Sequence, residues 1–236
     1  MAARLDDATP AAPGRIRQRN RARILAAAER IFAEKGYDGA TTAAIATAAG
    51  LPKSNLHYYF PTKEAVYRAV IDGTLRLWLA AFDPISADDD PAEALAAYVR
   101  RKMRHSFEHP LASRVFAQEV LRGAPVVRDF LAGELREWVK ARSAVIRAWI
   151  AKGRMDPVEP AHLFFTVWAA TQTYADFDAQ ITAVLGRERQ TAADREAATE
   201  QLVRLVLRGC GLAPRTSGEG SAAGGADTER EERTWR

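Results

Sequence analysis

Two short helical segments joined by a glycine constrain the fold of this 236-residue chain more than any other feature. Residues 41–60 read TTAAIATAAGLPKSNLHYYF. The two threonines can cap a first helix that ends near Gly50, and Pro52 suits the first turn of a second helix that ends near Phe60. This spacing is typical of a helix-turn-helix, whose second helix enters the major groove of DNA.

The rest of the chain has helical periodicity and no strand signal. Apolar residues recur at helical spacing from Ile24 to Phe32, and Gly36 is expected to end that helix. Further helices are predicted at about 43–49, 52–60, 63–82, 92–108, 111–121, 126–153, 160–185 and 192–210, separated by prolines and glycines. No run of about 18 apolar residues is present, so no membrane span is expected.

Charge and composition predict four parts. They are a disordered basic arm (1–18), a helix-turn-helix DNA-binding domain (19–66), a ligand-binding and dimerisation domain (67–212) and a disordered tail (213–236). Residues 1–70 contain 11 Lys and Arg against 6 Asp and Glu, whereas the remainder has a net charge of −1. A basic end of this kind is typical of a protein that binds a polyanion, and the alternative is a solvated basic terminus with no partner.

The pattern TT…IA…AG…L.YYF…KE, with ILAAAERIFAEKGY upstream of it, resembles the DNA-binding region of the TetR family of bacterial regulators over residues 24–66. The resemblance implies an all-α, TetR-like fold in which a three-helix helix-turn-helix domain precedes a helical ligand-binding and dimerisation domain. It also implies a homodimer on palindromic double-stranded operator DNA. The chain departs from the family at Pro52, where Ser is frequent, and at His57, where Tyr is frequent, so the start of the recognition helix can differ in detail.

The resemblance implies phosphate contacts from Thr42 and Lys63, a backbone contact from Tyr59 and base contacts from residues 53–58. The expected DNA-binding residues are Arg19, Arg21, Thr42, Lys53, Ser54, Asn55, His57, Tyr58, Tyr59 and Lys63. The alternative is a small three-helix packing unit that does not bind DNA, with His57 as a solvated helix residue.

Two stretches behind this region, HPLASRVFAQEVLRGAP (109–125) and FFTVWAATQTYADFDAQ (164–180), resemble TetR-family members that sense uracil and thymine. Trp168 and Gln172 are four residues apart and therefore share one helix face, which Asp176 continues. A Gln amide can pair with the donor and the acceptor of an imide while a Trp ring packs against it. The expected ligand-binding residues are Trp78, Phe116, Glu119, Trp168, Gln172 and Tyr174. The alternative for these residues is ordinary core packing.

A stripe formed by Leu202, Leu205, Val206 and Gly209 predicts a surface for a second subunit, or else completes the monomer core. An enzyme is not expected, because no phosphate-binding loop or nucleophile motif is present and the four histidines show no metal-ligand spacing with Cys or carboxylates. No cofactor is therefore predicted. The single cysteine, Cys210, cannot form an intramolecular disulfide, which favours a cytoplasmic address, with nucleoid association when the chain is on DNA.

The sequence therefore predicts a ligand-responsive transcriptional regulator, a repressor that a small molecule such as uracil or thymine releases from DNA. The alternatives are a TetR-type regulator of another catabolic or efflux operon that senses an unrelated ligand, including a bulky apolar drug, and an architectural DNA-binding protein without an effector.

Overall fold

The computed structural model describes residues 13–212, and within that range it contains helices and connecting turns but no strand. The helices are α1 (Pro13–Gly39), α2 (Thr42–Ala48), α3 (Lys53–Tyr59), α4 (Lys63–Leu79), α5 (Pro91–Glu108), α6 (Pro110–Leu121), α7 (Arg128–Phe130), α8 (Arg136–Ala151), α9 (Pro160–Asp176), α10 (Asp178–Val184) and α11 (Ala192–Gly209). A π-helical turn, Leu131–Leu135, joins α7 to α8. The all-α prediction is confirmed. No helix in the described range is long and apolar enough to cross a membrane.

The first helix begins earlier than predicted. Residues 13–18 were expected to belong to a disordered arm, but they form the first turns of α1. Proline is tolerated at the start of a helix, and the Arg and Gln residues that follow are good helix formers. Gly36, with φ 67°, interrupts α1 as expected of a residue that tolerates the left-handed region. The rest of the predicted arm (1–12) and the predicted tail (213–236) lie outside the described residues.

Two helices that were predicted to be continuous are interrupted. The segment 126–153 contains the π turn, and the segment 160–185 breaks at Phe177 (φ −112°, ψ 30°). The Gln190 amide bridges this break, because its Nε2 donates to the Tyr174 carbonyl oxygen (2.9 Å) and to Asp178 Oδ1 (2.7 Å). The break therefore depends on a side chain from the following loop, and no glycine or proline marks it.

The buried side chains form two cores. The first lies among helices α1, α2, α3 and α4. It centres on Phe32 and Tyr67 and reaches Val115 of α6. The second lies among α5, α8, α9 and α11 and centres on Phe82, Trp149 and Phe164. Trp78 at the end of α4 belongs to the first core, so the helix-turn-helix and the rear domain meet around α4 and α6.

The apolar stripe on α11 is partly buried in the monomer core and partly exposed. Leu202 and Val206 are buried in the second core, so for these residues the expectation of a partner surface is wrong and the monomer core accounts for them. Leu205 is 58% exposed, and Gly209 is also exposed. Only one apolar side chain of the stripe therefore remains available to a second subunit.

Candidate functional site

The helix-turn-helix is built by local hydrogen bonds and two buried aliphatic side chains. Thr41 Oγ1 accepts from the Ala44 amide at 3.1 Å and so caps α2. Gly50 adopts φ 62° in the turn. Ile45 of α2 and Leu56 of α3 are completely buried, and they fix the face that α3 turns away from the protein.

The outward face of α3 carries the residues predicted to read DNA. Lys53, Ser54, Asn55, His57 and Tyr58 are all exposed, and Tyr58 is 72% exposed. Such side chains reach phosphates and base edges by hydrogen bonds. The structure therefore brings these five together on one surface.

The start and the end of α3 show the effect of the two departures from the family pattern. Pro52 stands at the N-cap and provides no side-chain hydrogen bond, as anticipated. His57 Nδ1 lies 3.2 Å from the Pro61 carbonyl oxygen and donates to it, because a carbonyl oxygen can only accept. Nε2 is then the ring nitrogen that remains for a DNA contact.

Five predicted DNA-binding residues lie outside this face, and two of them, Lys63 and Tyr59, also hold the domain together. Lys63 Nζ donates to the carbonyl oxygens of Tyr37 (2.8 Å) and Ala40 (3.2 Å), which leaves one of its three N–H groups for a phosphate. Tyr59 is half-buried, and its hydroxyl accepts from Asn20 Nδ2 at 3.4 Å. Thr42, likewise half-buried, begins α2.

Two arginines extend the basic surface along α1. Arg19 and Arg21 are exposed. The Arg21 guanidinium lies 5.5 Å from the centroid of the Phe60 ring, at the end of the recognition helix. With Lys53 they give this end of the protein several cationic groups without a carboxylate partner within salt-bridge distance in the described range.

Behind the helix-turn-helix, a small cavity gathers four of the six predicted ligand-binding residues. Its volume is about 40 Å³, room for a few water molecules and well below the range for small-molecule pockets, so the lining side chains must move apart to admit a ligand. It lies between α4, α5, α6, α9 and the π turn. The lining residues are Leu75, Trp78, Leu79, Lys102, Phe116, Leu135, Trp168 and Gln172.

Aromatic rings shape this cavity. The rings of Trp78 and Phe116 meet edge to face with centroids 5.1 Å apart. Trp168 Nε1 donates to the hydroxyl of Tyr98 at 2.7 Å, which fixes the indole orientation. Burial raises the pKa of Tyr98, so its hydroxyl stays neutral. Trp168 can thus offer its ring face to a ligand while its own polar atom is satisfied.

Lys102 is a lining residue that the sequence analysis missed. Its side chain is 2% exposed, and its ammonium stands over the Trp78 ring. Burial lowers the pKa of Lys102 to about 7, against the opposing effect of Asp176. A signal was present, because Leu95, Val99 and Lys102 follow the helical period of a buried face.

Two polar groups in the cavity lack protein partners. Within residues 13–212, neither the Lys102 ammonium nor the Gln172 side-chain amide makes a hydrogen bond to the protein. The Lys102 side chain is buried and Gln172 is half-buried. Buried polar groups are normally hydrogen-bonded, and one that is not requires an explanation. A ligand with matching acceptors and a donor would satisfy both groups.

Glu119 does not line the cavity, although it was predicted to bind ligand. Its Oε1 accepts from the amides of Val126 (2.6 Å) and Val127 (3.3 Å), and its Oε2 accepts from the Tyr67 hydroxyl at 3.1 Å. Burial and the Glu119 charge raise the pKa of Tyr67. Glu119 therefore connects α4 and α6 to the start of α7, and its carboxylate is occupied within the protein.

Tyr174 also lies away from the cavity. It borders an open groove with Phe177, Ile181, Val184 and other residues of α10 and α11. Asp176, on the face of Gln172, accepts from Ser113 Oγ at 2.6 Å, and burial raises the pKa of its carboxyl. Of the six predicted ligand-binding residues, four therefore line the cavity, Tyr174 borders the groove and Glu119 has a structural role.

A further group was missed by the sequence analysis at the end of α5. His105, Glu108 and His109 each offer a ligand atom, and these atoms all lie within 4.8 Å of one another. The expectation that no histidine has metal-ligand spacing with a carboxylate is wrong here, because His-x-x-Glu-His places His105 and Glu108 on the last turn of α5 and His109 at its C-cap.

Both parts of the chain match known protein families. Residues 24–70 match the family model of bacterial regulatory proteins of the tetR family, and residues 71–213 match the model of the C-terminal region of YcdC-like proteins. The HTH-type transcriptional regulator RutR of Escherichia coli (strain K12) is 40% identical over 186 residues, which cover 79% of this chain and 88% of RutR.

Solved structures share the fold. A bacterial regulatory protein in the tetR family from Rhodococcus RHA1 superposes with a TM-score of 0.67 at 24% identity, covering 82% of this chain and 98% of that one. AibR, solved in complex with isovaleryl coenzyme A and operator DNA, superposes with a TM-score of 0.62 at 19% identity, covering 84% of this chain and all (100%) of AibR. The likeness to these two structures concerns the fold alone.

Proposed function

The chain belongs to the TetR family of bacterial regulatory proteins and is a transcriptional regulator similar to RutR, and from this premise we propose that it is a repressor that a small planar imide releases from operator DNA. Uracil and thymine are the ligands of this class that we favour. The observation that carries the proposal is a pair of polar side chains, Lys102 and Gln172, that make no hydrogen bond to the described residues and line a small cavity with Trp78 and Trp168.

The exposed face of α3 supports the DNA-binding half of the proposal. Its side chains combine a cation (Lys53), hydroxyls and an amide (Asn55), which suit phosphate oxygens and base edges. The arginines of α1 add the sequence-independent attraction to phosphates. Family membership adds that regulators of this type bind operator DNA, typically as dimers.

The chemistry of an imide matches the cavity. A pyrimidinedione presents a ring N–H between two carbonyl oxygens. The Gln172 amide can accept from the N–H and donate to one carbonyl, and the Lys102 ammonium can donate to the other. The faces of Trp78 and Trp168 would pack against the ring. At about 40 Å³ the cavity has to widen even for a single ring, and a bulky apolar drug would require a much larger rearrangement.

Two helices connect the cavity to the DNA-binding surface. Fifteen residues of α4 separate Lys63 from Trp78, or about 22 Å at 1.5 Å per residue. On α6, Phe116 lines the cavity while Gln118 Nε2 donates to the Ala33 carbonyl oxygen of α1 at 3.2 Å. A ligand that prefers one position of these helices would change the separation of the two reading heads in a dimer, which is a shift between populations.

Exposed apolar side chains at the other end of the rear domain support a homodimer. Phe177, Val184, Leu185 and Leu205 lie on α11 or in and around α10, and all are exposed. Apolar residues that cluster on an exposed surface commonly mark an interaction site. The proposal also includes a DNA-binding domain at residues 19–66 and a ligand-binding and dimerisation domain at residues 67–212.

The test is calorimetric titration of the protein with uracil, thymine and cytosine. Uracil and thymine are expected to bind with a dissociation constant in the range of about 1–100 µM (roughly −8 to −5 kcal/mol), and Gln172→Ala to abolish binding. Gln18→Ala, which changes an exposed glutamine on α1, is the matched control. An operator selected from a library of random duplexes then serves to measure release by uracil.

Two outcomes separate the parts of this proposal. If the protein selects a palindromic duplex but binds none of the three pyrimidines, the regulator assignment stands and the imide ligand is rejected. If uracil binds and leaves operator affinity unchanged, repression relieved by ligand is rejected.

A further inference from the structure

The His105, Glu108 and His109 side chains form a cluster that the proposed repressor mechanism does not use. Glu108 is the last residue of α5, and His109 follows it immediately before Pro110 opens α6. Glu108 and His109 are exposed and His105 is half-buried, so a cation can reach the cluster from solvent. None of these residues lines the effector cavity.

A second observation concerns the buried imidazole nitrogen of His105. Within the described residues, Nδ1 of His105 is buried and has no hydrogen-bond partner. An unsatisfied buried polar atom destabilises the folded state. A metal ion bound directly to this nitrogen would supply the missing partner.

We propose that His105, Glu108 and His109 bind one divalent transition-metal ion, Zn²⁺ in the first instance. Two imidazoles and one carboxylate are a ligand set that zinc takes in proteins, with water in the remaining position. His105 and His109 are four residues apart across the C-cap of α5, the spacing that zinc-binding histidine pairs also have on helices. Mg²⁺ and Ca²⁺ prefer oxygen ligands and are not expected here.

The surroundings contain charges of both signs. Lys102 and Arg104 lie close enough to His105 to oppose a cation. The carboxylate of Glu29 on α1 lies near the Ala112 amide and within electrostatic range of His109, where it would favour a cation. A metal ion at this position would therefore stand where α5 and α6 meet α1.

The experiment measures binding of Zn²⁺ alone to the full chain, with any purification tag removed, in competition with a chromophoric chelator. One ion per chain is expected, with His109→Ala and Glu108→Gln each weakening the affinity by about tenfold or more. His162→Ala, which removes an exposed histidine on α9, is the matched control and is expected to leave the affinity unchanged. Thermal unfolding monitored by circular dichroism confirms that each variant is folded.

Substitution with Co²⁺ gives an independent readout. Visible absorption bands of a four-coordinate cobalt site are expected in the wild-type protein and in His162→Ala, and not in His109→Ala. Less than one ion per chain, or an affinity that none of the cluster variants changes, would overturn the proposal. Neither measurement involves DNA or effector, so its failure is distinguishable from failure of the proposed function.

Discussion

The ammonium nitrogen of Lys102 lies 4.3 Å from the centroid of the Trp78 ring. This contact joins α5 to α4 at the wall of the cavity, and it places a cation where almost no water reaches it. A ring face attracts a desolvated cation, but it does not replace the hydration that burial removes. Lys102 therefore destabilises the ligand-free protein, and strained or costly residues of this kind are expected at functional sites.

The first prediction concerns the pH dependence of stability. The Lys102 pKa is lowered from 10.5 to about 7, so between these values the unfolded chain binds a proton that the folded chain does not. Stability is therefore expected to rise with pH across this window, by at most about 1.4 kcal/mol per pH unit from this group. Urea unfolding at pH 7, 8 and 9 measures it.

Lys102→Met is the variant for this experiment, because methionine keeps the length of the side chain and removes the charge. The variant is expected to be more stable than the wild type at pH 7, and its advantage should shrink as the pH rises. Asp176 and His105 titrate near Lys102, but their ordinary pKa values lie below this window. Lys152→Met, at an exposed position, is the control. An advantage that does not change with pH would contradict the prediction.

The second prediction concerns Glu119. Glu119→Ala leaves the amides of Val126 and Val127 and the Tyr67 hydroxyl without their acceptor. Hydrogen bonds to charged groups contribute about 1.5–3 kcal/mol, and buried donors left unpaired add to the loss, so a destabilisation of about 3 kcal/mol is expected by urea unfolding. Glu137→Ala, which removes an exposed carboxylate from α8, should change the stability by less than about 0.5 kcal/mol. Equal effects of the two variants would refute the structural role of Glu119.

The third prediction concerns DNA. Lys53→Ala is expected to weaken binding to different duplexes to a similar degree and to lower the slope of log affinity against log salt by about one, as for one lost phosphate contact. The measurement is fluorescence anisotropy with a labelled duplex at several salt concentrations. Lys140→Ala, on the exposed face of α8, is the control. A slope unchanged by Lys53→Ala would remove this residue from the interface.

The fourth prediction concerns the dimer. Val184 on α10 is 79% exposed, and Val184→Glu is expected to convert the proposed dimer to a monomer in sedimentation velocity, because a charge would be buried in an apolar interface. Leu121→Glu at the end of α6 changes a residue that is 84% exposed and should leave the dimer intact. A dimer that survives Val184→Glu would place the interface elsewhere.

The parts of the fold that depend on local signals could be predicted from the sequence. Glycines at 36 and 50, both with positive φ, mark the end of the first helical run and the turn of the helix-turn-helix, and the exposed face of α3 follows from the burial of Leu56. The break at Phe177 could not be predicted, because the amide that bridges it comes from Gln190. The position of Glu119 outside the cavity could not be predicted for the same reason, because its partner Tyr67 lies 52 residues earlier in the chain.

The π-helical turn between Leu131 and Leu135 has a consequence for how the cavity can change. A π turn contains one residue more than an α-helical turn, and each residue of an α-helix rotates the following side chains by about 100°. Deleting one residue there would restore a regular helix and, with α8 held by its buried core, rotate the residues before the deletion by about 100° relative to Leu135 at the cavity wall. The capacity of this cavity is therefore set by the number of residues in the loop-to-helix transition as well as by their types, and insertions or deletions at this point can alter which ligands fit while the buried Trp149 core remains in place.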